Sequence, residues 1–290
     1  MKHDMASSRP GSNGDPSKRV DIFDLITELR GRRQPFAVAT VIETEGSVSA
    51  KTASKAVIDA AGNMLGGWVG GGCAEGAVRK AALDCLAAGR TAVLDLDLDD
   101  EVLGTGMPCG GTMRVYVEPF LPQPSLWILG HGRIAECLCL IGSELGFHVV
   151  VDDPDADREH YPAASLLITD DLDYSQLTPG TADFVVIATQ HKGDHESLQT
   201  VLRRHVPYVG LVASKKRSRL VLDYLRKEGL DNGKLARVHA PAGLDLGACT
   251  PEEIALSVMS EIVLLHRGGS GTTMRKEAGK RDQSVGQALS

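Results

Sequence analysis

The chain has no excess of positive charge, no long apolar run and no closely spaced cysteine pair. Its 31 lysines and arginines are outnumbered by 38 aspartates and glutamates, and the formal net charge of −7 argues against a nucleic-acid-binding surface. No apolar run approaches the roughly 18 residues that a membrane span needs. Residues 1–19 contain no apolar signal-peptide core, so we expect a cytoplasmic protein without membrane insertion.

The six cysteines include no Cys-x-x-Cys pair, the spacing that indicates zinc binding or thioredoxin-type chemistry. Thiols of a cytoplasmic protein are expected to be reduced. With 290 residues, 42% of them hydrophobic, the chain is long enough to form two domains.

A strand–turn–helix–strand pattern occupies the middle of the chain. The apolar stretch 125–129 runs into Gly130-His131-Gly132-Arg133, and apolar side chains then recur at helical spacing. Gly130 permits a turn, Gly132 lets the backbone approach a pyrophosphate, and the following helix N-terminus provides N–H donors. Asp152 ends the next apolar strand about 20 residues after Gly132, where an acid binds ribose hydroxyls. The pattern predicts a Rossmann-type nucleotide site; the alternative is a glycine-tight turn without a ligand.

Three prolines between Pro119 and Pro124 predict a linker between two domains. We expect an N-terminal α/β domain at 20–119 and a C-terminal domain at 125–267, in which alternating strands and helices predict a doubly wound parallel sheet. The fold class is therefore α/β. The polar tails, 1–19 and 268–290, have too little apolar content to be expected to order.

The later strands and the last helix of the C-terminal domain have separate signals. Thr250 is suited to the N-cap of the helix, Pro251 to its first position, and Glu253 completes a capping box. Strands after Asp153 are predicted at 166–168, 184–188, 208–212 and 235–238.

Two glycine-rich loops of the N-terminal domain each carry a cysteine. Cys73 follows Gly71 and Gly72 just before a predicted helix that includes Glu75, and a helix N-terminus lowers the pKa of a thiol. Cys109 precedes Gly110 and Gly111 in the second loop. Flanking glycines permit a bulky ligand to approach a thiol closely, whereas the alternative is a small buried cysteine at a tight turn. Apolar helical faces predict that Cys85 and Cys137 belong to the core.

Polar groups follow two predicted strands of the C-terminal domain. Gln190, His191, Asp194 and His195 come after the strand that ends at Ala188, where doubly wound sheets place ligand groups. The alternative is a local cap in a solvated turn. The stretch Ser214 to Arg219 opens the next helix, where it is suited either to phosphate binding or to a solvated basic face.

These stretches together resemble the XdhC/CoxI/CoxF family, accessory proteins of molybdenum hydroxylases such as xanthine dehydrogenase and carbon monoxide dehydrogenase. The matching stretches follow one another in order across both predicted domains: 45–47, 70–76, 107–111, 117–119, 130–132, 188–194, 208–214, 240–247 and 250–254.

The resemblance implies a homodimer that binds the molybdenum cofactor, as molybdopterin or its cytosine dinucleotide form. It also implies help with sulfuration, from a cysteine desulfurase, and with insertion into a client molybdenum hydroxylase. Carried over by position, Cys73 and Cys109 lie in the family's two cysteine loops, with Glu75 in the first, and we expect one or both thiols to contact molybdenum or relay sulfur. The cofactor-binding positions would be Gly71, Gly72, Gly110, Gly111, Gly130, His131, Gly132, Arg133, Asp152, Gln190, His191 and Ser214.

Two departures leave the client enzyme open. Many members read Gly-Ser-x-Pro-Arg-Arg where this chain reads Gly46 to Lys51 without proline or arginine. The xanthine dehydrogenase branch often reads Thr-His-Asp where this chain has Thr189-Gln190-His191, which is closer to the carbon monoxide dehydrogenase branch.

Two other functions are compatible with parts of the sequence. Gly130, Gly132 and Asp152 alone suit an NAD(P)-dependent oxidoreductase, with His191 or His195 as the partner in hydride transfer. A structural adaptor for client and desulfurase would leave both cysteine loops without a purpose. The family resemblance favours the cofactor-maturation protein.

Overall fold

The computed structural model describes residues 21–98, 111–189 and 193–274. The chain divides into two compact units, Met1–Pro122 and Gln123–Ser290. The boundary lies within the proline-rich stretch. The tail 1–19 lies outside the described residues, as does the last part of the tail 268–290, from residue 275 onward.

The N-terminal unit contains a five-stranded antiparallel sheet with the order β3-β2-β1-β5-β4. The central strand β1 pairs with β5 from Phe36↔Phe120 to Gly46↔Gly111, with a bulge between Val41 and Glu43. The strands are β1 (Phe36–Gly46), β2 (Lys55–Asp59), β3 (Met64–Gly67), β4 (Ala92–Asp97) and β5 (Gly111–Phe120).

Helices α1 (Ile22–Gly31) and α2 (Cys73–Ala88) pack against opposite faces of this sheet. Side chains alternate across a strand, so Phe36 and Val38 of β1 face the cluster of α1 while Ala37, Ala39 and Val41 face that of α2. Both faces of the sheet are therefore covered, and the unit has its own hydrophobic core.

The C-terminal unit contains a six-stranded parallel sheet with the order β11-β10-β9-β6-β7-β8. The strand order reverses at β6, which lies between β7 and β9, and such a point creates a crevice at the carboxyl ends of the strands. The predicted Rossmann-like fold is confirmed. The strands are β6 (Ser125–Leu129), β7 (His148–Asp152), β8 (Leu166–Ile168), β9 (Phe184–Ile187), β10 (Tyr208–Leu211) and β11 (Val238–His239).

In the described residues of this unit, helices α3 and α7 pack on the face of Leu126, and α4 and α5 pack on that of Trp127. The predicted capping box of α7 is confirmed, because Thr250 Oγ1 accepts the N–H of Glu253 at 3.2 Å and Glu253 Oε2 accepts that of Thr250 at 3.0 Å. The helices are α3 (Arg133–Glu144), α4 (Asp194–Val201), α5 (Lys215–Lys227), α6 (Asn232–Leu235) and α7 (Pro251–Arg267). No helix in the described ranges has the length and apolarity needed to cross a membrane.

The prediction that a strand begins at Leu235 is wrong. Leu235 ends helix α6, which begins because the Asp231 carboxylate caps it by accepting the N–H of Lys234. Leu235 packs into the core beside α5, and the strand itself is only Val238–His239. The run of apolar residues suited either structure, and the aspartate cap together with core packing selects the helix.

Candidate functional site

The glycine turn of the C-terminal unit joins β6 to α3. Gly130 has a φ of 117°, and a Cβ added there would lie 2.5 Å from the carbonyl carbon of Ala188, at the end of β9. Gly132 has a φ of 95° and is the N-cap of α3, without a side-chain capping bond. Both backbone conformations favour glycine. Gly130 is necessary because β6 and β9 approach each other closely. Gly132 is necessary because the chain enters α3 there with a positive φ.

The amide of Gly132 already has a partner within the protein. Its N–H donates to the hydroxyl of Tyr161 at 3.0 Å, and Tyr161 is only 2% exposed. Burial raises the pKa of Tyr161 to about 12, which keeps the phenol protonated. An anion at this turn would therefore use the N–H groups of the first turn of α3, which lack partners within the helix, rather than that of Gly132.

Asp152 lies at the end of β7, beside the glycine turn, and its carbonyl oxygen accepts the N–H of Gly130 at 3.2 Å. Its side chain is 1% exposed, and neither carboxyl oxygen has a hydrogen-bond partner among the described residues. Burial, assisted by the charges of Asp171, Asp153 and Asp170, raises the pKa of Asp152 to about 7. An unpartnered buried carboxyl is costly, and donors from a ligand would remove that cost.

Burial, assisted by the charges of Asp152 and Asp153, raises the pKa of Tyr174, which follows β8. Its hydroxyl accepts a hydrogen bond from Ser197 of α4 at 2.8 Å, and its φ of 56° is unusual for a residue other than glycine. The segment after β8 is thus tied to α4.

His131 and Arg133 of the same turn are both paired with carboxylates. His131 Nδ1 lies 2.9 Å from Asp153 Oδ1, in the loop after β7. Arg133 forms ion pairs with Glu136 at 3.2 Å and with Glu252, at the start of α7, at 2.9 Å. The guanidinium therefore links the first turns of α3 and α7, which pack against each other.

The polar groups after β9 and β10 form a second cluster. Asp194, 2% exposed, accepts a hydrogen bond from Thr189 through one oxygen and from Arg217 Nε, at 3.1 Å, through the other. Ser214 is the N-cap of α5 and its hydroxyl accepts the N–H of Arg217 at 3.2 Å. His195 packs edge-on against Tyr224, with ring centroids 5.1 Å apart. Gln190 and His191 lie outside the described residues.

The first cysteine loop places Cys73 at the first position of α2. Gly72 is the N-cap, with a φ of 58° and no side-chain capping bond, and an added Cβ at Gly71 or Gly72 would meet nothing within 4 Å among the described residues. The loop therefore leaves open space at its two glycines. Glu75 is paired with Arg79 at 2.6 Å, one turn further along the helix.

Cys109 and Gly110, in the second cysteine loop, lie outside the described residues. Gly111 is buried and begins β5, opposite Gly46 of β1. A Cβ added at Gly111 would lie 3.0 Å from the backbone nitrogen of Ser47 and 2.9 Å from the side chain of Val48. Close packing of β5 against the segment that follows β1 therefore requires this glycine.

Two family models match the chain. The first, described as the XdhC and CoxI family, matches residues 29–97, and the second, the XdhC Rossmann domain, matches residues 126–262. The chain belongs to the XdhC and CoxI family. The first match includes the loop of Cys73 and the second includes the glycine turn, Asp152 and Ser214, so each described candidate cluster lies in a domain of this family.

Individual relatives of this XdhC-family chain are longer than it is. It is 29% identical over 272 residues to the uncharacterized protein YqeB of Escherichia coli (strain K12), covering 89% of this chain and 48% of that protein. It is 30% identical over 162 residues to a probable xanthine dehydrogenase subunit of Bacillus subtilis (strain 168), covering 52% of this chain and 46% of that protein. The chain thus spans about half the length of these curated relatives.

A crystal structure titled as a xanthine dehydrogenase from Bacillus halodurans is similar to the chain at 23% identity and a TM-score of 0.46. That similarity covers 86% of this chain and 96% of the solved one.

Two contacts of this XdhC-family site have no local sequence signal: Gly132 with Tyr161, and His131 with Asp153. Each joins residues more than 20 positions apart, and no period or cap marks them. The only indication in the sequence that Asp153 belongs to the site is weak: it directly follows Asp152, the acid predicted to bind ribose.

Proposed function

We propose that this protein binds the molybdenum cofactor and assists its sulfuration and insertion into a molybdenum hydroxylase of the xanthine dehydrogenase or carbon monoxide dehydrogenase type. The observation that carries the proposal is the presence of both family domains, the XdhC and CoxI domain and the XdhC Rossmann domain, in one chain. The relative named as a probable xanthine dehydrogenase subunit supports a client of that type.

The C-terminal unit has residues that fit the nucleotide end of such a cofactor. The oxygens of Asp152 accept no hydrogen bond from the described residues, and ribose hydroxyls are donors that would satisfy them. The first turn of α3 offers N–H groups to a pyrophosphate. We propose that the crevice is also lined by His131, Gly132, Arg133 and Ser214. The protein contacts described above hold these residues in position.

The N-terminal unit has residues that fit the molybdenum end. Thiolate is a soft ligand suited to a heavy metal centre, and a cysteine at a helix N-terminus, the position of Cys73 in the chain, is expected to have a lowered thiol pKa. Gly71 and Gly72 leave room in front of the helix. We propose that Cys73, with Cys109, contacts the metal or carries sulfur delivered by a cysteine desulfurase, and that the protein acts as a homodimer. The bound cofactor itself supplies the molybdenum–sulfur chemistry that the client uses.

Metal and pterin content tests this proposal directly. The full chain, purified without oxygen from a host that makes the cofactor, should contain molybdenum and pterin in equal amounts. Cys73→Ser and Cys109→Ser should lose molybdenum, whereas Cys85→Ser, which changes a buried core thiol, should retain it. Wild-type protein free of both molybdenum and pterin would contradict the proposal.

NAD(P) is the alternative ligand, since the reversal of strand order at β6 suits any dinucleotide. Titration of the cofactor-free chain with NAD+, NADP+ and a cytosine nucleotide separates the two ligands. We expect the cytosine nucleotide to bind and to be lost in Asp152→Ala. Tight binding of NAD+ or NADP+ with none of the cytosine nucleotide would favour the oxidoreductase.

A further inference from the structure

We propose that His131, Asp153 and Asp155 form a binding site for a divalent metal ion of the Mn2+ type, separate from any molybdenum. His131 Nδ1 lies 2.9 Å from Asp153 Oδ1 and 3.9 Å from Asp155 Oδ2, and one ligand atom from each residue lies within 4.8 Å of the other two. In octahedral coordination, ligands placed about 2.1 Å from one ion are about 3 Å apart when adjacent and about 4 Å apart when opposite. The three side chains therefore need only small movements to share an ion.

The fold brings these side chains together from two neighbouring strands. β6 and β7 are parallel and paired with Leu129 opposite Asp152, so the loops that carry His131 and Asp153 leave the sheet side by side. The N–H of Asp153 donates to Ile168 of β8 at 3.0 Å, and that of Asp155 donates to Asp153 Oδ1 at 2.8 Å. The backbone that carries two of the ligands is thus held in place.

Asp152 is a second observation that indicates a cation nearby. Its carboxyl, directly before Asp153 in the chain, is 1% exposed and has no hydrogen-bond partner among the described residues. Asp153, Asp170 and Asp171 are carboxylates of the same segment of the chain. In the described part of the chain, no lysine or arginine forms an ion pair with any of these aspartates or with Asp155. A bound divalent cation would offset this excess of negative charge.

The chemistry of the donors defines the class of ion. One imidazole and two carboxylates suit Mn2+ and other first-row transition metals, whereas Mg2+ and Ca2+ prefer oxygen ligands alone. Three protein ligands leave coordination positions open to water or to an anion. The site lies at the glycine turn itself, because His131 stands between Gly130 and Gly132.

Titration of the full chain with MnCl2 tests the site without any nucleotide or cofactor. After chelator treatment and removal of any affinity tag, calorimetry and the loss of the free Mn2+ paramagnetic resonance signal should both report one saturable site per chain. His131→Gln and Asp155→Asn should weaken binding by at least about tenfold, because each removes a ligand. Asp155 is exposed, so its replacement should not disturb folding, which the circular dichroism spectrum checks.

His160 and Asp157 provide a matched control. They form an exposed imidazole–carboxylate pair at 2.7 Å in the same segment, and no third ligand joins them among the described residues. His160→Gln should bind Mn2+ as the wild type does. The absence of saturable binding, or Asp155→Asn with wild-type affinity, would overturn the proposal and leave the His131–Asp153 contact as a plain hydrogen bond. Because the titration contains no cofactor, its result is independent of the molybdenum and pterin measurement.

Discussion

Asp152 shows how one residue can carry an electrostatic cost at a candidate site. Its carboxyl has no hydrogen-bond partner among the described residues, and burial raises its pKa from 3.8 to about 7. Between these values the folded protein holds a proton that the unfolded chain has released. The free energy of unfolding therefore falls as the pH rises from about 4 to about 7 and stays at the lower value above that.

Asp152→Asn should consequently stabilise the ligand-free protein at pH 8, because the amide removes the charge that burial disfavours. We expect a gain of roughly 2–4 kcal/mol over wild type at pH 8 and little difference near pH 4. Urea unfolding of metal-free protein across this range measures the effect. Asp157→Asn is the control: hydrogen bonds from His160 lower the pKa of that exposed carboxyl, so its loss should bring no gain at pH 8. A wild-type curve parallel to that of Asp152→Asn would contradict the argument.

The hydroxyl of Tyr161 gives a second test at the scale of one residue. Tyr161→Phe leaves the N–H of Gly132 without its acceptor beneath the turn, which should cost about 1–3 kcal/mol in the free energy of unfolding. Tyr174→Phe removes a comparable hydroxyl, but Ser197 Oγ also bonds the carbonyl of Gly193 at 3.1 Å and keeps a partner. The second change should therefore cost less than the first. Equal decreases in the free energy of unfolding of the two variants, measured by urea unfolding, would show that the Gly132–Tyr161 hydrogen bond does not stabilise the fold more than the Tyr174 hydroxyl does.

At the scale of the element, two cysteines of the same helix are expected to differ in reactivity. Cys73 stands at the first position of α2, where N–H groups and the helix dipole favour a thiolate, whereas burial raises the pKa of Cys85 three turns later. Brief alkylation near pH 7 should label Cys73 well before Cys85, as peptide mass spectrometry would measure. Equal rates at the two cysteines in folded protein would remove the support for a reactive thiol at this loop.

At the scale of the whole molecule, each unit has its own sheet and its own core. Phe120, the last residue of β5, stacks on Phe36 with ring centroids 4.9 Å apart, so a truncation that preserves the N-terminal unit must end after it. A fragment ending at Pro122 should fold but retain no cofactor, because every residue proposed to bind the nucleotide lies in the other unit. The circular dichroism spectrum and pterin content measure the two expectations. A folded fragment with as much pterin as the full chain would exclude the C-terminal unit from cofactor binding.

The sequence alone was sufficient for the features that depend on neighbouring residues. The period of apolar side chains predicted β6, α3 and β7 in order, and Thr250 with Glu253 predicted the start of α7. The Rossmann-like fold could be predicted because strand, turn and cap signals depend on residues that are close in sequence. The family could be predicted because its motifs follow one another along the chain. Both predictions are confirmed. The functional roles of all the predicted site residues, from Cys73 and Cys109 to Asp152 and Ser214, stay predictions.

Only the tertiary structure decided what surrounds each candidate residue. Tyr161 reaches the amide of Gly132 and Asp153 reaches His131 because β6 and β7 lie side by side, although each pair is more than 20 residues apart in the chain. Gly111, predicted to flank a ligand, is required by the packing of β5 against the end of β1 and the residues after it, and its contact with a ligand stays a prediction. Sequence patterns determined where strands, turns and helices begin, whereas burial and partners depend on contacts between distant segments, and these determine whether a polar group is free to bind a ligand.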